Sequence, residues 1–169
     1  MEWKYIKYLF CFLLLLLGFY YIAHAQIASV RLTSSAVFQP SPVLPTTGAV
    51  VRVIDGDTLV LETDEHVRLL GMNAPEKGER YHDEAQQRLA SLVEGKTVTL
   101  EADKINKDKY GRLLRYVFVN DTLVNAVLVE EGYAVPFILT SAPRYKTQIT
   151  SAQQHCLEQK IRLCAHHNP

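Results

Sequence analysis

The sequence predicts an α+β fold: a closed β-barrel of five strands with three helices, preceded by an N-terminal hydrophobic segment. Three observations carry this expectation. Short, alternating β-branched runs cluster early, helical periodicities are interleaved late, and an uncharged apolar run stands at the start. At 169 residues the chain is long enough for one domain with a substantial core, and its first ~45 positions differ in character from the rest.

Lys4 and Lys7 lead into an apolar run from Tyr8 to Ala23, which holds the five leucines Leu13 to Leu17 and ends in Ala23-His24-Ala25. A run apolar on every face does not suit a soluble helix. It marks export, in one of two ways. Residues 1–25 are either a signal peptide cleaved after Ala25 or an uncleaved transmembrane anchor, since the stretch from Tyr5 approaches the ~20 residues that span a bilayer. Either way the positive end stays inside, and the rest of the chain works outside the cytoplasm, secreted, periplasmic or membrane-anchored. Residues 26–47 place Pro40, Pro42 and Pro45 among Ser, Thr and small apolar residues with almost no charge, which reads as an extended tether. The domain is expected over 48–169.

Ala49–Ile54 and Thr58–Thr63 read as strands joined by the turn Asp55-Gly56-Asp57. Val67–Met72 is a third. Asp83 is placed to cap a helix whose inner face is Ala85, Leu89, Leu92 and Val93, closed by Gly95. Thr97–Glu101 and Leu113–Val119 are two more strands, linked by the polar loop Asp103–Gly111. A short helix with Val124, Val127 and Leu128 inward stops at Gly132, and a last helix is expected from about Pro143 to Lys160.

Formal charge is balanced, and from Thr46 onward fifteen Lys/Arg face seventeen Asp/Glu. A uniformly cationic nucleic-acid coat is therefore excluded, and any polyanion site must be a local patch. One such patch is Lys104–Arg115, with five cations against Asp108 alone and Tyr110 offering a face for stacking. Of the cysteines, Cys11 lies in the export segment. Cys156 and Cys164 are either two free thiols or a disulfide, and the bond requires the helix to end between them, because an unbroken helix would hold them ~12 Å apart.

The hairpin of the second and third strands, if centred near Glu65, sets Asp57 opposite Asn73. Glu76 lies just beyond, after Pro75. Oxygen-bearing side chains gathered at one barrel end suit a hard cation such as calcium. Arg68 and Asn73 are five residues apart and alternation alone puts them on opposite faces, so a bulge at Gly71 is expected to re-aim one of them.

Taken together, Val53-Ile54-Asp55-Gly56-Asp57-Thr58, Arg68-Leu69-Leu70-Gly71-Met72-Asn73-Ala74-Pro75-Glu76 and Asp108-Lys109-Tyr110-Gly111-Arg112 resemble the signature blocks of the staphylococcal nuclease (thermonuclease) family in order and approximate spacing. The similarity covers about Gly48 to Lys160. It implies an OB-fold-like, staphylococcal-nuclease-like barrel and an exported calcium-dependent endonuclease cutting DNA and RNA, releasing the 5′ oxygen and leaving 3′-phosphate ends. By that resemblance Asp57, Asn73 and the Ala74 carbonyl bind calcium, Glu76 acts as or orients the base, Arg68 and Arg112 hold the phosphate, and Lys109 and Tyr110 are accessory substrate contacts. The expected partners are the nucleic acid and, with an uncleaved N-terminus, the membrane, and the chain is expected to be a monomer. Two departures stand out. Asn73 occupies a position that is often aspartate in the family, and the aromatic base platform is replaced by Phe137-Ile138-Leu139-Thr140, with Phe137 and Tyr145 the aromatics at hand. The alternative function is a non-catalytic nucleic-acid- or protein-binding module of the same fold. Such modules lose the metal and arginine positions, whereas Asp57, Glu76, Arg68 and Arg112 are retained together here.

Overall fold

The computed structural model describes residues 17, 46–138 and 143–166. The export run apart from Leu17, the tether to residue 45, and Leu139 and Thr140 lie outside the described residues, and no described helix is long and apolar enough to cross a membrane. In order, the elements are β1 (Thr46–Asp55), β2 (Thr58–Leu61), β3 (His66–Leu69), β4 (Met72–Asn73), α1 (His82–Val93), β5 (Thr97–Glu101), β6 (Leu113–Val119), β7 (Thr122–Leu123), α2 (Val124–Glu130), β8 (Val135–Pro136), α3 (Lys146–Gln159) and a 3-10 turn (Arg162–His166).

The main sheet runs β3-β2-β1-β5-β6-β7, and β3 also pairs with β6 in parallel, from Val67 opposite Leu113 to Leu69 opposite Arg115. That pairing closes β1, β2, β3, β5 and β6 into the expected five-strand barrel. Inside it Val50, Leu59, Val67, Leu69, Val98, Leu100 and Val117 are buried, the inward set that strand alternation requires. Against one end α1 lays Ala85, Leu89 and Val93.

Three expectations of register and capping are corrected. The second hairpin pairs Thr58 with Arg68, Leu59 with Val67 and Val60 with His66, so its centre is Thr63 and Asp57 lies opposite Leu69 rather than Asn73. The cause is Asp64, whose left-handed φ of 63° tightens the turn and ends β2 at Leu61. The third run is not one strand to Met72. It breaks at the Leu70–Gly71 turn, where Gly71 takes φ 78° and Asn73 leaves on β4. The reversal expected of Gly71 occurs there, as a turn instead of a bulge. Asp83 does not cap α1, because Tyr81 at φ 69° holds that position and Asp83 falls in the first turn.

Asn125 on α2 is fully buried, where sequence periodicity placed Val127. Its Oδ1 accepts the Val117 amide at 2.9 Å and its Nδ2 donates to Leu70 O at 2.8 Å, so it ties the barrel wall to the turn that redirects the chain toward Asn73. At the far end α3 stops at Gln159 with Lys160 left-handed, and Cys156 and Cys164 are bonded across a Cα–Cα distance of 5.9 Å.

Candidate active site

The turn carrying Asp57 is set by lack of space. A Cβ on Gly56 would lie 2.6 Å from the Ala74 methyl and 2.7 Å from that of Ala85, so only glycine lets the Asp55–Asp57 turn nest between the β4 exit and α1. Asp55 Oδ1 accepts the Asp57 amide at 3.0 Å, which fixes the turn from within.

The Asp57 carboxylate, nearly fully buried, then meets three donors. Arg68 Nη1 and the Thr58 hydroxyl, at 3.0 Å, donate to Oδ1, and the Ala74 amide donates to Oδ2 at 3.1 Å. Arg68 Nη2 donates to Asn73 Oδ1 at 2.5 Å. The guanidinium fork therefore grips both oxygen-bearing side chains at once, which brings Asp57 and Asn73 together despite the shifted hairpin register. Burial pushes the Asp57 carboxyl up to about 6, against the opposing pull of Arg68 and the Ala74 amide. What Ala74 turns toward Asp57 is its amide.

Arg112 arrives from the other side on the loop before β6. Asp108 Oδ1 accepts the Tyr110 and Arg112 amides at 2.9 and 3.0 Å, and its Oδ2 accepts Arg112 Nε at 2.7 Å. Burial raises the Asp108 carboxyl, but these hydrogen bonds outweigh it and hold it below the usual carboxylate range. With Nε so fixed, Arg112 Nη1 donates to Thr58 Oγ1 at 3.4 Å. Asp108, Arg112, Thr58, Asp57, Arg68 and Asn73 thus form one hydrogen-bonded chain, into which all three sequence blocks feed. Tyr110 is 71% exposed, with Lys109 Nζ 4.9 Å and Arg112 Cζ 5.6 Å from its ring centroid. Glu76 is exposed on the loop after Asn73, and among the described residues no hydrogen bond joins its carboxylate to either arginine.

Arg115 does not join this group. It is buried and donates to Asn106 O, Leu114 O and Asn106 Oδ1, bracing the basic loop from beneath. Tyr145 is committed to packing, edge-on to Tyr116 and Phe118, with its hydroxyl donating to Glu101 at 2.6 Å. Phe137 remains exposed beyond β8. Thr58, Asp108 and Asn125 were not singled out from sequence. Asp108 did carry a signal, since a carboxylate four residues before Arg112 across a Tyr-Gly turn can satisfy both its amide and its side chain.

Residues 66–165 match the model of a family described as staphylococcal nuclease homologue. The chain is 33% identical over 123 residues to a thermonuclease of Staphylococcus intermedius, covering 68% of this chain and 73% of that protein. It is 35% identical over 127 residues to a micrococcal nuclease of Shigella flexneri, covering 68% of each. An uncharacterized endonuclease of Escherichia coli O157:H7 is 41% identical over 91 residues, 52% of this chain and 58% of its own length. Barrel, blocks and relatives together define a nuclease, a hydrolase whose substrate is nucleic acid. The chain belongs to the staphylococcal nuclease family.

Proposed function

We propose that this nuclease is exported and depends on calcium, and that it hydrolyses internal phosphodiester bonds of DNA and RNA, leaving 3′-phosphate ends. The observation that carries the site is the single hydrogen-bonded chain from Asp108 to Asn73, which sets two guanidinium groups about one carboxylate at a barrel end.

The donors fit a hard cation. Asp57 Oδ1 and Asn73 Oδ1 already converge on one positively charged group, the guanidinium of Arg68, and oxygen donors so gathered suit a cation of that kind. Asp57, Asn73 and the Ala74 carbonyl would hold calcium, which when bound supplies positive charge beside the phosphate.

Arg68 spends two of its five N–H groups on Asp57 and Asn73 and keeps others for a phosphate oxygen. Arg112, aligned by Asp108, offers its outer edge to a second oxygen, so negative charge gathering on the attacked phosphate meets fixed positive charge. Glu76 takes the proton of the attacking water. Tyr110 and Lys109 line the flank where a sugar or base and a neighbouring phosphate pass. Residues 1–25 supply export, as signal peptide or membrane anchor, and the Cys156–Cys164 bond agrees with an oxidising compartment. The enzyme acts as a monomer.

The test is degradation of single-stranded DNA and RNA by the soluble piece from Thr46 to Pro169, titrated with calcium and with chelator. Activity unchanged by chelation overturns the metal assignment. Loss on chelation that calcium restores supports it.

A further inference from the structure

The peptide bond between Pro75 and Glu76 is held at both ends by side chains. His82 Nδ1 bonds Pro75 O at 2.9 Å, and since a carbonyl only accepts, the ring proton sits on Nδ1. Glu79 Oε2 accepts the Glu76 amide at 2.8 Å. In a trans peptide the C=O and N–H point in opposite directions, so the two side chains clamp one plane from opposite sides. Rotating that plane breaks at least one of the bonds, and the plane carries the Cα from which the Glu76 side chain departs.

Both clamping residues are themselves fixed. Glu79 closes a tight turn by donating its amide to Glu76 O at 2.9 Å, with Gly78 at φ 91° inside it. His82 opens α1, and Tyr81 immediately before it sits at φ 69°, a conformation that costs a non-glycine residue about 1 kcal/mol or more. That strained residue ends the loop where α1 begins, with the His82 ring folded back on Pro75 and only 16% exposed.

We propose that Glu79 and His82 are positioning residues that aim Glu76 by clamping the Pro75–Glu76 peptide, so that the base acts from a loop with the precision of a strand. This rests on the reading of Glu76 as the base. On this reading their effect on turnover passes through Glu76.

The experiment is a double-mutant cycle on the full chain with DNA as substrate and saturating calcium, reading kcat and KM separately. His82→Ala and Glu79→Ala are each expected to lower kcat by tenfold to ~10²-fold, the scale of a misplaced catalytic group, with KM and thermal midpoint little changed. His82→Asn, whose amide can still donate to Pro75 O, and Glu79→Gln, whose Oε1 can still accept, are expected to recover most of the loss. In a Glu76→Gln background, His82→Ala should lower kcat no further, because nothing remains to aim. If Glu76→Gln itself keeps normal kcat, the base reading falls and this proposal with it. If Glu76→Gln is impaired while His82→Ala and Glu79→Ala keep normal kcat, or lower it equally in both backgrounds, the clamp is overturned and the base reading stands.

Discussion

The two halves of the site are built by different means. Asp57, Arg68 and Asn73 stand on or beside barrel strands, the first buried and the other two half-buried, and each is satisfied by another member of the site. Glu76, Lys109, Tyr110 and Arg112 stand on loops, more exposed, and those that are fixed are fixed by a neighbour outside the chemistry, such as Asp108 under Arg112. In the strand half, site and core are the same object, so a change there should cost folding and function together. In the loop half the supporting bonds are local, and function should be separable from stability.

The largest expected effect tests the first part of that contrast. Arg68→Met leaves the Asp57 carboxylate buried beside an apolar chain. It should lower stability by about 3 kcal/mol in the presence of chelator and turnover by about 10³-fold. Paired denaturant unfolding and kinetics check both, and a variant of unchanged stability would show that the strand half is not part of the core.

Next comes Glu76→Gln, which keeps size and removes basicity. A drop of ~10² in turnover at saturating calcium is expected, with an unmoved unfolding midpoint. Near-normal turnover removes Glu76 from the mechanism, and a large shift of midpoint erases the contrast between the halves.

Arg112→Lys and Arg115→Lys sharpen the contrast across the junction of the basic loop with β6. The first loses the fork that Asp108 aligns and should reduce turnover about tenfold at constant stability. The second should leave turnover near normal and lower stability by about 1 kcal/mol, through the lost bonds to Asn106. Equal kinetic losses would deny Arg112 a specific role.

The smallest effect is expected from Asn73→Asp, which adds a charged oxygen to the proposed cation site. The calcium concentration for half-maximal activity should fall severalfold, and a calcium titration that does not move would count against Asn73 as a ligand.

How far the sequence reveals this follows the same division. Alternation and β-branching disclosed every barrel strand, and the three blocks marked Asp57, Arg68 and Arg112 before any contact was known, because block order is a one-dimensional property. Register was not legible. Whether Asp57 faces Asn73 or Leu69 depends on one left-handed residue, Asp64, whose conformation no hydrophobic pattern encodes. The two residues meet all the same, by way of the Gly71 turn and the Arg68 fork. Gly56 was legible as turn chemistry, but its real constraint, two methyl groups a Cβ could not share space with, belongs to the packed molecule. Asn125 was hidden for a similar reason: a polar residue in a helical pattern looks solvent-facing until its three backbone partners are seen.

The bond between Cys156 and Cys164 makes the chain's manufacture part of its structure. Closing so short a loop removes conformations from the unfolded chain worth about 2.5 kcal/mol on the loop-entropy account, and that increment exists only after two electrons have been given up. A preparation made under reducing conditions would be a population still awaiting its last covalent step, distinguishable by alkylation mass and melting apart from the finished molecule.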